Sequence, residues 1–301
     1  MQNLSTLLSI STEVREALEA QRPVVALEST VIAQGLPRPQ NLETAKRLEA
    51  IVRDAAAVPA TVAMLSGTLQ VGLEDSQLKL LAENDDVKKL SVRDLAIGVA
   101  QKWNGATTVA STMWIAHRAG IPVFATGGIG GVHRGSLPDI SADLPQLAQT
   151  PMIVVCSGAK IVLDLPATRE WLETNSVTVI GYQCDELPAF YSRSSGLPVD
   201  IRCDTPAEVV RIFKTQRELD LPAALLVTVP VPSDAEVESS TLNAVLDDSL
   251  AQAAQENIAG RDLTPFLLAR MSERSQGATL RANIALLENN AKVAAQIAVA
   301  L

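Results

Sequence analysis

Two side chains in this sequence, one acidic and one basic, have surroundings that suit covalent catalysis. Glu28 ends the apolar run PVVAL. Burial disfavours the charged form of a carboxyl group, so we expect Glu28 to keep its proton and to act as a general acid. Lys160 follows the turn SGA and precedes IVLDL, a run that we predict to open a helix. A desolvated lysine near the positive end of a helix favours the neutral amine, which adds to a sugar carbonyl as a Schiff-base nucleophile.

Each of the two residues also has an ordinary structural interpretation. Glu28 would cap the next element or pair with a basic side chain, and Lys160 would be a solvated surface lysine. The sequence leaves these interpretations open.

A cluster of oxygen-bearing side chains lies between the two residues along the chain. Asp139, Ser141 and Asp143 alternate, so in an extended segment their side chains share one face and offer hard ligands to Mg²⁺ or Mn²⁺. The alternative for Asp143, which precedes Leu-Pro, is an N-cap of a helix. The sequence does not decide between these roles.

The segment ATGGIGGVHRG at 125–135 contains five glycines. Glycines at this density are typical of close approach of the backbone to a ligand, and successive N–H groups with His133 and Arg134 would cradle a phosphate. The competing interpretation is a flexible surface loop. The third glycine of a dinucleotide-binding fingerprint falls on His133, and no phosphate-binding loop with Lys-Ser/Thr is present, which excludes both nucleotide motifs.

Composition narrows the class of ligand. The 301 residues are 47% hydrophobic and 3% aromatic, with a net charge of −9. Acidic charge and few aromatic side chains exclude a nucleic-acid partner, so a small anion must be bound locally. Lys89, with Ser91 and Arg93 beside it, is a further candidate for such a site.

The sequence predicts a cytoplasmic protein without disulfides or a membrane span. Cys156, Cys184 and Cys203 are far apart and lack metal-type spacing, which favours reduced thiols. The first twenty residues have no basic region before an apolar run, and no segment approaches about 18 uninterrupted apolar residues.

Alternating strands and helices must position these side chains. Buried strands are predicted at 23–28, 61–65, 121–125, 152–156, 177–181 and 224–230, and amphipathic helices at 41–55, 76–84, 108–120 and 205–219. After Pro232 the patterns are helical only. We therefore expect one continuous domain over 1–301, with a mostly parallel sheet covered on both faces and a helical C-terminal layer.

In parallel sheets, ligands bind beyond the carboxyl ends of the strands. Four predicted strands end in polar residues: Glu28 with Ser29 and Thr30, Thr126 onward, 157–160, and Tyr182 with Gln183. We predict that the active site lies where these four ends meet.

The chain resembles the pseudouridine-5′-phosphate glycosidase (pseudouridylate synthase) family over nearly its whole length. The resemblance rests on VVALESTVIAQGLPRPQN at 24–41, VPATVAML at 58–65, NGATTVASTM at 104–113, FATGGIGGVHRG at 124–135, DISADL at 139–144, VVCSGAK at 154–160, IGYQCDELPAFY at 180–191 and TPFLLAR at 264–270.

The resemblance implies a three-layer α/β/α sandwich, a homotrimer and a divalent metal, usually Mn²⁺, with Mg²⁺ as an alternative. It also implies a lyase that reversibly cleaves the C–C glycosidic bond of pseudouridine 5′-phosphate to uracil and ribose 5-phosphate, in pseudouridine breakdown. By position, Glu28 matches the proton donor, Lys160 the nucleophile and Asp139 the metal-binding aspartate. The implied substrate contacts are Lys89, Val109, Ser141, Ala142, Asp143, Thr126, His133 and Asn283.

Three positions depart from the family pattern. The spacer between His133 and Asp139 is shorter, Val229 stands where an asparagine is usual, and Gln34 replaces a common histidine. Two other functions remain open: a different lysine-dependent sugar-phosphate lyase, and a phosphate-ligand binding module without turnover.

Overall fold

The computed structural model describes residues 7–134, 139–256, 258 and 263–301. The strands are β1 Leu8–Ile10, β2 Val24–Leu27, β3 Val58–Leu65, β4 Thr68–Val71, β5 Lys88–Leu90, β6 Gly105–Thr107, β7 Val123–Ala125, β8 Val132–His133, β9 Ile153–Cys156, β10 Leu163–Asp164, β11 Thr178–Tyr182, β12 Ile201–Cys203 and β13 Leu225–Thr228.

The helices are α1 Thr12–Glu19, α2 Gln40–Asp54, α3 Asp75–Glu83, α4 Val92–Ala100, α5 Val109–Arg118, α6 Asp143–Gln149, α7 Leu165–Thr174, α8 Pro206–Glu218, α9 Ser239–Gln255, α10 Leu263–Arg274 and α11 Ala278–Ala300. A π-helical turn occupies Val31–Gly35. Within the described ranges, no helix is long and apolar enough to cross a membrane.

One sheet runs through the molecule in the order β1-β4-β3-β2-β7-β9-β13-β11-β12, and β5 and β6 join it through β3. Its pairings are parallel except those of β3 with β4 and β6. All residues of β2, β9 and β13 are buried, as expected for parallel strands covered by other elements. The predicted fold class, a mostly parallel sheet with flanking helices, is therefore confirmed.

The helices form where apolar spacing and capping coincide. In α8, Thr205 and Glu208 form a reciprocal capping box and Pro206 begins the helix, so the first N–H groups are satisfied. The last three helices, α9 to α11, follow one another without a described strand. Of these, α11 packs against α2, α8 and the strands β2, β7 and β9. The helical C-terminal layer predicted from sequence thus lies against the central strands.

Candidate active site

Three neighbouring strands bring the predicted reactive residues to one edge of the sheet. β2, β7 and β9 pair in parallel, so Glu28, Thr126 and the 157–160 turn emerge side by side. The fourth predicted strand end does not join them. β13 lies between β9 and β11, and Tyr182 and Gln183 line a separate cavity of about 300 Å³. The prediction of four converging ends is therefore wrong for β11.

Glu28 is held at both carboxylate oxygens. The side chain is 8% exposed, Thr126 Oγ1 donates to Oε1 at 2.5 Å, and Thr30 Oγ1 donates to Oε2 at 2.6 Å. Thr126 is itself 1% exposed, so its side chain contacts Glu28 and is not exposed to solvent. Because both oxygens are fixed, the carboxyl group presents one defined orientation to the cavity in front of it.

The segment that follows Lys160 is not helical, contrary to prediction. Leu163–Asp164 is a strand that pairs antiparallel with β8, and Asp164 Oδ1 accepts from Ala167 N at 2.9 Å as the N-cap of α7. Asp164 and Pro166 therefore start the helix well beyond Lys160. The helix-end argument for activating the Lys160 amine does not apply.

Lys160 is fixed by a turn that is joined to the glycine-rich loop. Lys160 N donates to Ile129 O at 3.1 Å, and Ile129 pairs with Ala159 as an isolated parallel bridge. Gly158 has φ +81°, and a Cβ there would lie 2.1 Å from Pro188 O, so only glycine fits. The backbone geometry therefore sets where the Lys160 side chain begins.

The glycine-rich loop does not form an open phosphate cradle. The N–H groups of Ile129, Gly130, Val132 and His133 donate to Gly158 O, Asp143 Oδ2, Thr168 Oγ1 and Asp139 O at 3.1, 2.7, 2.9 and 2.8 Å. Arg134 Nε donates to Leu163 O at 3.1 Å. These donors satisfy protein acceptors, so the predicted anion nest is wrong at these positions.

Close packing explains the glycines instead. A Cβ on Gly130 would lie 2.1 Å from Ser141 Oγ, and one on Gly128 would lie 2.7 Å from the Phe190 ring. Glycine lets the loop pass between these side chains.

Asp143 links the loop to a neighbouring helix. It is 6% exposed, and its Oδ1 and Oδ2 accept from Ala110 N at 2.9 Å and Gly130 N at 2.7 Å. Asp143 is the first residue of α6, whose N-cap position is Ala142, so the predicted N-cap role is wrong. Its carboxylate instead satisfies an early N–H of α5, a favourable place for negative charge.

The exposed carboxylate of the predicted metal cluster is Asp139. Ser141 N donates to Gly131 O at 3.0 Å, and Val132 and Ile140 form an isolated antiparallel bridge. Residues 135–138 lie outside the described ranges. Among the described residues, here as elsewhere, no three His, Cys, Asp or Glu side chains form a metal-binding group. The fit to a divalent ion is therefore limited to one carboxylate, which suits an ion that keeps most of its waters.

Most of the predicted site residues line one polar cavity of about 390 Å³, which we call the polar cavity. Its walls include Glu28, Lys89, Ser91, Arg93, Val109, His133, Asp139, Ser141, Ala142, Asp143 and Lys160. Lys89, Arg93 and His133 supply cationic or hydrogen-bonding groups, and the first residues of α4 and α5 lie in the same wall. This cavity therefore suits a sugar phosphate.

A narrow space of about 70 Å³, the neck, continues from the polar cavity. The two share Glu28, Thr30, Lys89 and Lys160. The other side of the neck is mostly apolar, with Phe190, Leu268 and Leu287, and it contains the amides of Gln34 and Asn283. The acid and the amine thus stand between a polar space and an apolar one.

A third space of about 300 Å³, the apolar cavity, adjoins the neck. The two share Gln34, Gly35, Pro265, Leu268 and Asn283. Its remaining walls are Leu36, Pro37, Tyr191, Ala269, Ser272 and Leu280.

Several wall residues were not singled out from sequence. Thr30 was noted only as part of a strand end, and Phe190, Leu268 and Leu287 read as ordinary core positions. Asn290 was missed as well, although it is fully buried and its Nδ2 donates to Thr126 O at 2.9 Å and to Ser157 Oγ at 3.1 Å. The sequence did contain a signal for Asn290, because a polar asparagine stands there among the apolar residues of the predicted C-terminal helix.

The three cysteines are free thiols and are poorly suited to nucleophilic catalysis. Burial raises the pKa of Cys156 to about 12 and that of Cys184 to about 11, and burial also raises the pKa of Cys203. The thiolate forms are therefore scarce near neutral pH. The lysines that line the neck, Lys89 and Lys160, are better suited, and Lys160 is the predicted nucleophile.

Comparisons with known proteins agree with this geometry. The model of the family described as indigoidine synthase A like protein matches residues 13–300. The chain is 52% identical to the pseudouridine-5′-phosphate glycosidase of Methylobacterium nodulans, covering 98% of this chain and 88% of the relative. It is 47% identical to the Staphylococcus aureus protein of the same name, covering 100% and 99%.

Two solved structures are similar over almost the full chain. The prealnumycin C-glycosynthase AlnA, in complex with ribulose 5-phosphate, has a TM-score of 0.90 at 41% identity, covering 98% of this chain and 97% of AlnA. An indigoidine synthase A-like protein from Thermotoga maritima has a TM-score of 0.89 at 35% identity, covering 97% and 96%. With sequence and fold in agreement, the chain belongs to the indigoidine synthase A-like family that includes the pseudouridine-5′-phosphate glycosidases.

Proposed function

We propose that this protein reversibly cleaves the C–C glycosidic bond of pseudouridine 5′-phosphate to give uracil and ribose 5-phosphate. The observation that carries the proposal is the position of Glu28 and Lys160 where the polar cavity meets the neck. The names of the relatives and the ribulose 5-phosphate bound to AlnA support a phosphorylated sugar in the polar cavity.

The proposed reaction begins with opening of the ribose ring. The C1′–O4′ bond breaks as Glu28 gives its proton to O4′, and the Lys160 amine adds at C1′. Uracil C5 then takes the proton that the nitrogen loses after its addition, the C1′–C5 bond breaks, and the nitrogen lone pair forms an iminium with C1′. Water hydrolyses the iminium, which releases ribose 5-phosphate, restores the amine and returns a proton to Glu28. The sum is addition of one water across the glycosidic bond.

The residues around Glu28 and Lys160 have supporting roles in this proposal. Lys89 and Arg93, with Ser141, Ala142 and the early turns of α4 and α5, bind the phosphate and hydroxyl groups. Val109 and His133 complete that wall, and Asn283 faces uracil from the neck. Thr126 and Asp143 act through their contacts with Glu28 and with the glycine-rich loop.

A divalent ion, Mn²⁺ or Mg²⁺, is included in the proposal with Asp139 as its protein ligand. Such an ion would supply charge stabilisation to the sugar phosphate, with waters completing its coordination. The remaining proposals are assembly as a homotrimer, one domain over 1–301, and a cytoplasmic role in pseudouridine breakdown.

Uracil release from pseudouridine 5′-phosphate, followed by absorbance, tests the activity. A panel of other C- and N-nucleotides distinguishes a different sugar-phosphate lyase, and ligand binding without any release would indicate a binding module. We expect Glu28→Gln to remove turnover while the thermal unfolding midpoint stays near that of the wild type, because the amide keeps the size but not the acid. Retained turnover would assign the acid role elsewhere.

Borohydride trapping tests the nucleophile. Reduction in the presence of ribose 5-phosphate should leave a covalent adduct on Lys160, and Lys160→Arg should leave none. Lys46→Arg is the matched control, since Lys46 pairs with Asp75 on the exposed side of α2 at 2.7 Å. An active enzyme that yields no adduct would contradict the Schiff-base route.

A further inference from the structure

The two ends of the site open at different places on the described surface. The polar cavity is bordered by exposed Arg93, Asp139 and Ala142. The apolar cavity is bordered by exposed Pro37 and Ala269. The two cavities share no lining residue, and each shares residues with the neck. The neck thus shares walls with both cavities, and the exposed residues of the two cavities lie on different elements.

The chemistry of the walls differs between the entrances. No charged side chain is among the described residues that line the apolar cavity, whereas Lys89 and Arg93 line the polar one. Transfer of a phosphate dianion into an uncharged, largely apolar space is costly, because its hydration is not replaced. A neutral planar base such as uracil does not incur this cost. The apolar cavity consequently selects against the sugar phosphate and admits the base.

The covalent step of the proposed function, on which this inference rests, gives the released base a reason to leave through the apolar cavity. When the C1′–C5 bond has broken, the sugar is attached to Lys160 and extends into the polar cavity, so it blocks that route for the released base. In the proposed reaction the base would then face the side of the neck formed by Phe190 and Leu268, and Leu268 also lines the apolar cavity.

We propose that uracil leaves and enters through the apolar cavity while the sugar phosphate remains bound to Lys160. The protein then exchanges the base of pseudouridine 5′-phosphate without releasing ribose 5-phosphate. In each exchange, C5 of an incoming uracil attacks C1′ of the iminium, the C5–C1′ bond re-forms and C5 passes its proton to the nitrogen of Lys160. Lys160 then leaves C1′ as O4′ closes the ring and returns its proton to Glu28. The exchange is the cleavage reaction run backward, so atoms and electrons balance.

Isotope exchange tests the proposal. Labelled uracil is added to unlabelled pseudouridine 5′-phosphate, and label in the nucleotide is compared with free ribose 5-phosphate at early times. We expect label to enter faster than ribose 5-phosphate appears. Incorporation that only follows the accumulation of free ribose 5-phosphate would overturn the proposal.

Ala269→Trp tests the route itself. Ala269 is exposed on α10 and lines the apolar cavity, so an indole there fills the passage without replacing a core side chain. We expect exchange and uracil release to slow by about tenfold, because base release becomes limiting. Borohydride trapping of ribose 5-phosphate should stay within about twofold, since the polar entrance is unchanged. Ala244→Trp, at an exposed position of α9, is the matched control.

The outcomes separate the passage from the activity. If the wild-type protein releases no uracil, the proposed function is wrong. If the wild type releases uracil and Ala269→Trp leaves the rate of exchange unchanged, only the proposed route through the apolar cavity is wrong. Ser272→Phe obstructs the same wall and replaces Ala269→Trp if that variant loses trapping as well. Loss of trapping in both variants, with folding intact, would place these residues in sugar binding and would also overturn the passage.

Discussion

At the scale of single residues, the site depends on groups that hold the reactive side chains. Glu28 has one hydroxyl donor on each oxygen, from Thr30 and Thr126. The sequence could locate Glu28 and Lys160, because Glu28 directly follows an apolar strand and Lys160 follows another after a short turn. It could not reveal that Thr126 contacts Glu28, since that contact joins residues 98 positions apart.

We expect Thr126→Val to lower kcat for uracil release by about ten- to a hundredfold with little change in KM, because the lost hydrogen bond would stabilise the carboxylate that forms when Glu28 gives up its proton, and a hydrogen bond to a charged group contributes ~1.5–3 kcal/mol. Valine keeps the shape of threonine and removes the hydroxyl. Thr126→Ser is the control, and it should recover most of the activity. Steady-state kinetics across pH would separate this role from a structural one, which would leave the profile of kcat against pH unchanged.

At the scale of elements, the glycine-rich loop is a packing device. The N–H groups of Ile129, Gly130, Val132 and His133 are directed at protein acceptors, and a glycine pattern alone cannot distinguish such contacts from contacts with a ligand. The prediction of a helix in IVLDL, directly after Lys160, was wrong for a similar reason. Five residues are too few for apolar periodicity to separate a turn and short strand from a helix.

The sequence predicted the long elements better than the short ones. The six predicted strands correspond to β2, β3, β7, β9, β11 and β13, and the predicted helices correspond to α2, α3, α5 and α8. The strands β5, β6, β8, β10 and β12 have two or three residues each, which is too few to show an alternation of apolar and polar side chains. Strand order was not readable either, so the position of β13 between β9 and β11 was missed.

Gly130→Ala should lower the free energy of unfolding by about 1–3 kcal/mol and also lower turnover, because its Cβ would overlap Ser141 Oγ and approach Asp143 Oδ2. Gly120→Ala is the control. Nothing lies within 4 Å of its Cβ, so it incurs only the strain of φ +85°. Chemical denaturation and uracil release measure the two effects. A loop that tolerates alanine at 130 with full activity would contradict the packing role.

Asn290 on α11 joins that helix to the strand ends. Replacement by alanine leaves Thr126 O and Ser157 Oγ without this partner, so Asn290→Ala should cost ~1–3 kcal/mol of stability. We expect kcat to fall as well, because Thr126 and the 157–160 turn lose a shared anchor. Asn289→Ala is a neighbouring control, since its contact with Pro230 O is long at 3.4 Å. Equal effects from both variants would argue against a specific anchor.

At the scale of the whole molecule, a net charge of −9 coexists with a locally cationic wall at Lys89 and Arg93. Composition could argue against a nucleic-acid partner and favour a small anion, but it could not place the anion. That placement depends on the sheet, which brings β5, α4 and α5 to the same cavity as β2 and β9.

A buried carboxyl group on α2 makes stability depend on pH. Glu49 is 7% exposed, and burial raises its pKa above the ordinary 4.5 even though Thr61 donates to it at 2.6 Å. A raised pKa means that the folded state binds more protons, so this group's contribution is fully present below pH 4.5 and is lost as pH rises through the folded value. Glu49→Gln should flatten the fall of the unfolding midpoint above pH 4.5. An unchanged pH profile would contradict this assignment.

The long helix α11 has a consequence for how the protein is made. It supplies Asn283 and Leu287 to the neck and Asn290 to the strand ends, yet every strand of the sheet precedes it in the chain. During synthesis the sheet can assemble before α11 has left the ribosome, but the catalytic pocket cannot. A nascent chain should therefore reach a folded, inactive stage, and enzymatic competence should appear only when α11 docks.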